Sequence, residues 1–258
     1  MRGPQTTPAR VPVTVVIAAR NEGDQIAECI ASVSWAAEVL VVENDSVDDT
    51  VSRARAAGAV VFSHPFRTIA GQRNAAIARA AQEWVLVVDA DERGTPRLGS
   101  VVAQAVEAAD GREAWRVRRR NFFLGHEVRH GGWERDRPVR LFRRSLRYEE
   151  RAVHEHVVTH GAVGELGEPL LHTPYADLDE YFEKLRRYSR WWAEQHHARG
   201  RRASVTDLLL RPPGRLFSML VLRGGWRDGA VGVVVAVLAA TSVAAKYAQL
   251  WTLQRAGR

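Results

Sequence analysis

Three carboxylates fall within four consecutive positions, Asp89-Ala90-Asp91-Glu92, directly after the unbroken apolar run Trp84-Val85-Leu86-Val87-Val88. Two carboxylates one residue apart at a strand end can reach a single divalent cation from one side. Oxygen ligands of this kind suit Mg²⁺ or Mn²⁺ bridging a diphosphate, and such a cation stabilises the charge that appears when a phosphate group leaves. The same residues also read as a solvated turn capping a helix that starts near Pro96, and so short a pattern does not separate the two readings. A second acidic group is Glu43-Asn44-Asp45-Ser46-Val47-Asp48-Asp49-Thr50. Ser46 or Asp48 suits a helix cap. Glu43 precedes the cap and is still on the strand, where a carboxylate needs partners such as the imide and hydroxyl donors of a nucleoside.

The segments that must hold these groups alternate in character. Runs rich in Val and Ile predict strands over 13–18, 38–42, 59–62 and 84–88, and amphipathic stretches predict helices over 23–33, 48–57 and 70–81. Strands without polar alternation are buried on both faces, as in a parallel sheet covered by helices. The expected class is therefore α/β, with a doubly wound, Rossmann-like N-terminal half that binds ligands at the carboxyl ends of its strands. Both acidic groups fall at such ends.

Residues 1–10 read as a disordered lead-in, and 113–151 as short basic and aromatic strands in an irregular lobe. The chain turns helical after Pro174, with one helix over 204–221 broken early by Pro212-Pro213 and a long last one over 228–253. The expected division is a main domain over 11–175, split into a nucleotide half (11–110) and an acceptor half (111–175), followed by a helical extension over 176–258.

The 258 residues carry 37 Lys and Arg against 30 Asp and Glu, a net charge of +7. That balance favours anionic partners without choosing among nucleic acid, lipid and phosphorylated small molecules. The single cysteine, Cys29, allows no disulfide within the chain and no cysteine metal cluster, which fits a reducing, cytoplasmic setting. Residues 11–19 superficially resemble a signal-peptide core, but they contain Pro12 and feed directly into the strand-helix alternation.

The segments VTVVIAARNE, VLVVENDSVDDT, GQRNAAIARA and WVLVVDADE, in this order and spacing, resemble the family 2 glycosyltransferases, whose fold is the GT-A nucleotide-sugar-binding domain. NFFLGHEVRHGGWERDRPVRLFRR, AVHEHV and RDGAVGVVVAVLAATSVAAKYAQLW look more narrowly like the lipopolysaccharide core β-1,4-glucosyltransferase group, so the likeness covers 11–253. It implies a GT-A fold with a mixed sheet and a UDP-sugar donor. The donor would be bound by Ala18, Arg20, Asn21 and Glu22 on the first strand end, and by Glu43 and Asp45 on the second. Gln72, Arg73 and Asn74 would face the diphosphate, joined by Asp89 and Ala90. The metal motif maps onto Asp89 and Asp91, Asp91 being the direct ligand of choice. Glu43 departs from the Asp usual in the family, which leaves the base less defined.

Inverting transfer needs a group that removes the acceptor hydroxyl proton. The family's HE motif coincides with His154 and Glu155, making Glu155 the first candidate and Asp136 the second. His130, Trp133, Arg140, His154 and His172 are candidates for the acceptor or diphosphate pocket.

Lys184, Arg186, Arg187 and Arg190, with Arg199, Arg201, Arg202, Arg211 and Arg215, accompany Tyr188, Trp191 and Trp192. This pattern reads either as a solvated face or as attachment to an anionic membrane surface. Residues 229–245 are uncharged but include Thr241 and Ser242, and a span needs about 20 apolar residues. A peripheral or packed helix is therefore expected, at the inner face of the plasma membrane.

The combined expectation is an inverting, Mg²⁺- or Mn²⁺-dependent hexosyltransferase acting on a glycan or lipid-linked cell-envelope acceptor. Two rivals are a metal-dependent phosphohydrolase built on the same carboxylates and a basic nucleic-acid-binding module. The second is disfavoured because acidic strand ends repel phosphate when no cation is present.

Overall fold

The computed structural model describes residues 10–65, 67–108, 110–149 and 156–256. The first elements are β1 (Val11–Ala19), α1 (Gly23–Ser32), β2 (Ala36–Glu43), α2 (Thr50–Ala56), β3 (Val60–Ser63), α3 (Ile69–Arg79) and β4 (Trp84–Asp89). Then come β5 (Glu92–Gly94), α4 (Leu98–Ala108), β6 (Arg112–Arg116), β7 (Arg119–Phe123), β8 (His126–Val128) and β9 (Val139–Arg143). The chain ends with β10 (Ala162–Glu165), β11 (Leu170–His172), α5 (Leu178–Ala198), α6 (Val205–Phe217) and α7 (Gly229–Ala256).

These elements gather into two units, one of residues 1–119 and 137–172, the other of 120–136 and 173–258. Segment 120–136 thus groups with the helical tail, whereas the sequence places it in the main domain.

The first unit is built on a seven-stranded sheet in the order β10-β6-β9-β4-β1-β2-β3. The stretch β3-β2-β1-β4 is parallel throughout, and β9 runs antiparallel to both β4 and β6, so the sheet is mixed. Burial on both faces explains the unbroken apolar strands. Val85 and Val87 of β4 pack into one cluster with Val16, Val42 and Phe142, while Leu86 and Val88 pack into another with Val15, Ile17 and Leu141. Each such side chain contributes about 1.5–3 kcal/mol relative to exposure.

Register carries the two acidic groups to one end of this sheet. Ala18 of β1 lies opposite Asp89 of β4, and the next residue, Ala19, lies opposite Glu43 of β2. Where a helix-capping turn was one reading of residues 89–92, the chain instead forms β5, which pairs antiparallel with β11 and sets His172 opposite Glu92. Helix α4 begins later, with the Leu98 amide donating to the Thr95 carbonyl (3.0 Å).

In the second unit, β7 and β8 form a hairpin whose turn residues Leu124 and Gly125 both have positive φ (48° and 79°). Paired positive φ values match the right-handed twist of a two-residue hairpin. Phe123 and Val128 pack with Tyr181, Met219, Val235 and Ala236. The Tyr181 hydroxyl donates to the Leu238 carbonyl (2.7 Å), and Gln249 Nε2 donates to Ser189 Oγ (2.9 Å), tying α5 to α7. Helix α6 does not break at Pro212-Pro213 as the sequence suggests. It runs through both prolines to Phe217 and then widens into a π turn, Ser218–Leu222. The prolines remove donors from the carbonyls four residues earlier. Those carbonyls belong to Leu208 and Leu209, and Leu209 faces solvent, where water can take the place of the lost donors.

Candidate active site

The end of β4 holds a cluster of ionised side chains. Asp89 accepts from Arg73 Nη2 (2.5 Å), from Arg119 Nη2 (2.8 Å) and from Arg140. Glu92, fully buried, accepts from Arg119 Nε (2.5 Å), Arg140 Nη2 (3.0 Å) and the Asp89 amide (2.8 Å). Burial by itself raises the Asp89 carboxyl, but Arg140, Arg73 and Arg119 together outweigh it and hold that group well below the ordinary carboxylate range. Burial likewise lowers the Arg140 guanidinium, and Asp89 and Glu92 more than reverse this, so its net shift is upward. Three cations thus face two anions, a cluster with a net positive charge at the strand ends.

Both oxygens of Asp89, which the sequence pairs with Asp91 as a metal ligand, are engaged by guanidinium groups. Its neighbour differs. Asp91 Oδ1 is buried without a hydrogen-bond partner, and Asp91 Oδ2 lies 3.5 Å from His172 Nε2. A buried carboxylate oxygen lacking a donor is costly unless a cation meets it. An oxygen and an imidazole nitrogen side by side fit Mn²⁺ or Mg²⁺, with diphosphate oxygens and water completing the shell. Among the described residues no group of three or more His, Cys, Asp or Glu side chains could hold a metal.

The end of β2 is satisfied by other means. Glu43 accepts from the Ser46 amide (3.1 Å) and from the Ser63 hydroxyl, which together lower its carboxyl against the upward pull of burial. The sequence expectation that Glu43 needs an external partner is thus met within the fold. Asp48 accepts from the Thr50 amide (3.1 Å) and the Gly23 amide (3.0 Å), while α2 begins after Asp49 with no side-chain cap. Asn21, at φ 55°, accepts from the Val47 amide (2.9 Å), and the Glu22 amide donates to Thr50 Oγ1 (2.8 Å). The loops after β1 and β2 are thereby stitched together. Arg20 and Asp45 remain exposed on them, and Ala18 and Ala90 line the strand ends.

Helix α3 supplies a third side. Thr68 caps it by accepting from the Gly71 amide (2.9 Å). Gln72 is buried with Nε2 unpartnered, as is Asn44 Oδ1 after β2. A cavity of about 340 Å³ is lined by His64, Pro65, Arg67, Thr68 and Gly71. It begins where β2 and β3 end, since the His64 amide donates to the Glu43 carbonyl (3.1 Å). Asn74, expected to face the diphosphate, bonds the Tyr148 backbone through both its polar atoms (2.9 Å each) and so ties α3 to that loop.

Of the other expected residues, His130, Trp133 and Asp136 belong to the second unit. There His130 Nδ1 lies 2.6 Å from Asp228 Oδ1, the Trp133 carbonyl accepts from Asn121 Nδ2 (3.0 Å), and Asp136 ends the short helix Trp133–Arg135. Glu155 and His154 lie outside the described residues. Sequence reasoning missed Arg119 and the burial of Glu92. Arg119 is one of three consecutive arginines, and nothing local distinguishes it.

The family model described as "Glycosyl transferase family 2" matches residues 14–160. The "Lipopolysaccharide core biosynthesis glycosyltransferase LpsC" of Rhizobium meliloti (strain 1021) is 30% identical over 239 residues, covering 90% of this chain and 88% of that protein. The "Succinoglycan biosynthesis protein ExoU" of the same organism is 38% identical over 109 residues, 38% of this chain and 32% of that protein. Among solved structures, glucosyl-3-phosphoglycerate synthase from Mycobacterium tuberculosis is 25% identical, with a TM-score of 0.37 and 43% of each chain covered. With the matched region holding six of the seven strands of the mixed sheet and its acidic strand ends, the chain belongs to glycosyl transferase family 2: it is a glycosyltransferase of the GT-A fold.

Proposed function

We propose that the protein transfers a hexose, glucose in the first instance, from a UDP-sugar to a glycan or lipid-linked acceptor of the cell envelope, with inversion at the anomeric carbon. The observation that carries this reading is the unpartnered Asp91 oxygen beside His172, at the sheet end where Glu43, Gln72 and Asn44 also stand. The likeness to a lipopolysaccharide core glycosyltransferase over most of both chains supports an envelope acceptor.

Asp91 and His172 would hold Mg²⁺ or Mn²⁺. The ion, when bound, neutralises diphosphate charge and helps UDP to leave. The chain's own residues do the rest. Asn44 Oδ1, Gln72 Nε2 and the N-terminus of α3 offer donors and acceptors to the nucleotide. Arg73, Arg119 and Arg140, fixed by Asp89 and Glu92, keep positive potential at the leaving group without moving during reaction. Glu155, with Asp136 as the other candidate, takes the acceptor hydroxyl proton as the new glycosidic C–O bond forms and the bond to UDP breaks. The reaction takes place on the cytoplasmic side, with the protein held peripherally at an anionic membrane surface.

The test is a thermal-shift screen of nucleotide sugars with Mn²⁺, followed by UDP release. A shift specific to one UDP-hexose, abolished by chelator and by Asp91→Asn, is expected. Absence of both a shift and UDP release for every UDP-sugar would refute the proposal, and release of inorganic phosphate in place of UDP would favour a hydrolase.

A further inference from the structure

The helical unit carries a ridge of apolar side chains that its own core does not take up. Helix α6 starts at a capping box, where Ser204 Oγ accepts from the Asp207 amide (3.1 Å) and the Ser204 amide donates to Asp207 Oδ2 (3.0 Å). From there every fourth residue, Val205, Leu209, Pro213, Phe217 and Val221, faces solvent. Leu210, Leu222 and Trp226 extend the strip, with exposures of 65%, 70% and 65%. Single exposed apolar residues are ordinary on protein surfaces, but a continuous strip along a helix marks an interaction face.

Charge identifies the partner. Residues 201–227 contain six arginines and one carboxylate, Asp207, whose Oδ1 is held by Arg211 Nε (2.5 Å). Arg201, Arg202, Arg211 and Arg227 are exposed. An apolar strip bordered by arginines, with a tryptophan at one end, complements a surface that is apolar below and anionic above. A basic partner is disfavoured by repulsion.

Helix α7 is the competing membrane element, since Gly225–Arg255 is long and apolar enough to cross a bilayer by length and composition. One side of it packs inside the unit, although only 22% of its most apolar window is buried. Val235, Ala236 and Leu250 are buried, the Leu238 carbonyl accepts from Tyr181, and burial lowers the Lys246 ammonium alongside Arg215. Val233, Val234 and Val237 of α7 are exposed as well, but the ridge bordered by arginines is the one on α6.

We propose that α6 and the π turn after it form an in-plane membrane-binding face. Val205, Leu209, Leu210, Phe217 and Leu222 enter the acyl boundary of an anionic bilayer, and the arginines stay at its phosphates. The inference deepens the membrane part of the proposed function, and its test needs no acceptor and no turnover, so its failure is separable from failure of the transferase reading.

The experiment is flotation of the full chain with vesicles of phosphatidylcholine alone and of phosphatidylcholine mixed with phosphatidylglycerol. The wild type should float with the mixed vesicles, and added salt should reduce that binding. Leu209→Asp/Leu210→Asp should lower the partition coefficient about a hundredfold. Arg201→Gln/Arg202→Gln should lower it about tenfold on anionic vesicles only. A wild-type thermal shift with UDP-sugar and Mn²⁺, or failing that an unchanged melting curve, shows that both variants are folded. Failure of the wild type to float, equal binding by the aspartate variant, or equal binding to neutral vesicles overturns the proposal. So does a lipid-free dimer that the aspartate variant converts to monomer, which would assign the ridge to a second copy of the chain.

Discussion

Two acidic strand ends flank β1 at the same end of this sheet, and the protein stabilises them in opposite ways. At the end of β2, Glu43 and Asp48 are met by neutral dipoles: the amides of Ser46, Thr50 and Gly23 and the hydroxyls of Ser63 and Thr50. At the end of β4, Asp89 and Glu92 are met by full charges from Arg73, Arg119 and Arg140. Dipoles satisfy a carboxylate and leave the local potential negative. Guanidinium groups satisfy it and turn the potential positive. The first arrangement suits contact with neutral hydrogen-bonding groups, and the second suits a diphosphate. In the turn after β4, Asp91 has no such partner on Oδ1.

The contrast breaks most readily at Asp89. Asp89→Asn leaves three guanidinium groups facing Glu92 alone and should cost about 3–5 kcal/mol in chemical denaturation. A loss below ~1 kcal/mol would mean that water already solvates these charges and that the ends do not differ. The folded Asp89 carboxyl lies well below its unfolded value of about 3.9, so its contribution is complete above that pH and disappears as pH falls through the folded value. Wild-type stability should therefore decline below about pH 4, and Asp89→Asn should lack that component. Its salt dependence should be weak, because buried pairs are little screened.

Next in size is Asp91→Asn. Mn²⁺ affinity, followed by calorimetry with UDP present, should fall about 10–100-fold, as should UDP release, while the melting temperature stays level or rises. A drop in melting temperature like that of Asp89→Asn would place Asp91 in the structural network and remove it from the metal. His172→Ala should weaken Mn²⁺ binding within the same range. The smallest effect belongs to the dipolar end. Glu43→Gln keeps an acceptor for the Ser46 amide and should cost about 1 kcal/mol. It should also change the order of preference among nucleotide bases in the thermal-shift screen, which Asp91→Asn should not do.

Much of this was legible in the residues themselves. Strand and helix order followed from Val-rich runs alternating with amphipathic stretches, and the predicted β-α boundaries differ from the observed ones by only a few residues. Two failures were physical. Pro212-Pro213 leaves two carbonyls without donors, and whether solvent can reach them, as the exposure of Leu209 allows, is a tertiary property. Glu92 read as the tail of an acidic turn, yet it is the fully buried member of the group because β5 pairs with β11 from far along the chain. Asn74 matched a family pattern by position, while its environment turned it toward Tyr148.

The sequence by itself determined the α/β class, the alternation of elements, the location of chemistry at strand ends and the family. The first three depend on periodicity and local order, which a linear pattern records in full, and the family on the resemblance of its motifs. Only the tertiary structure decided which of Asp89, Asp91 and Glu92 are held by guanidinium groups. The guanidinium groups that quench two of the three come from positions 73, 119 and 140, and their effect depends on distance and burial, which sequence separation does not encode.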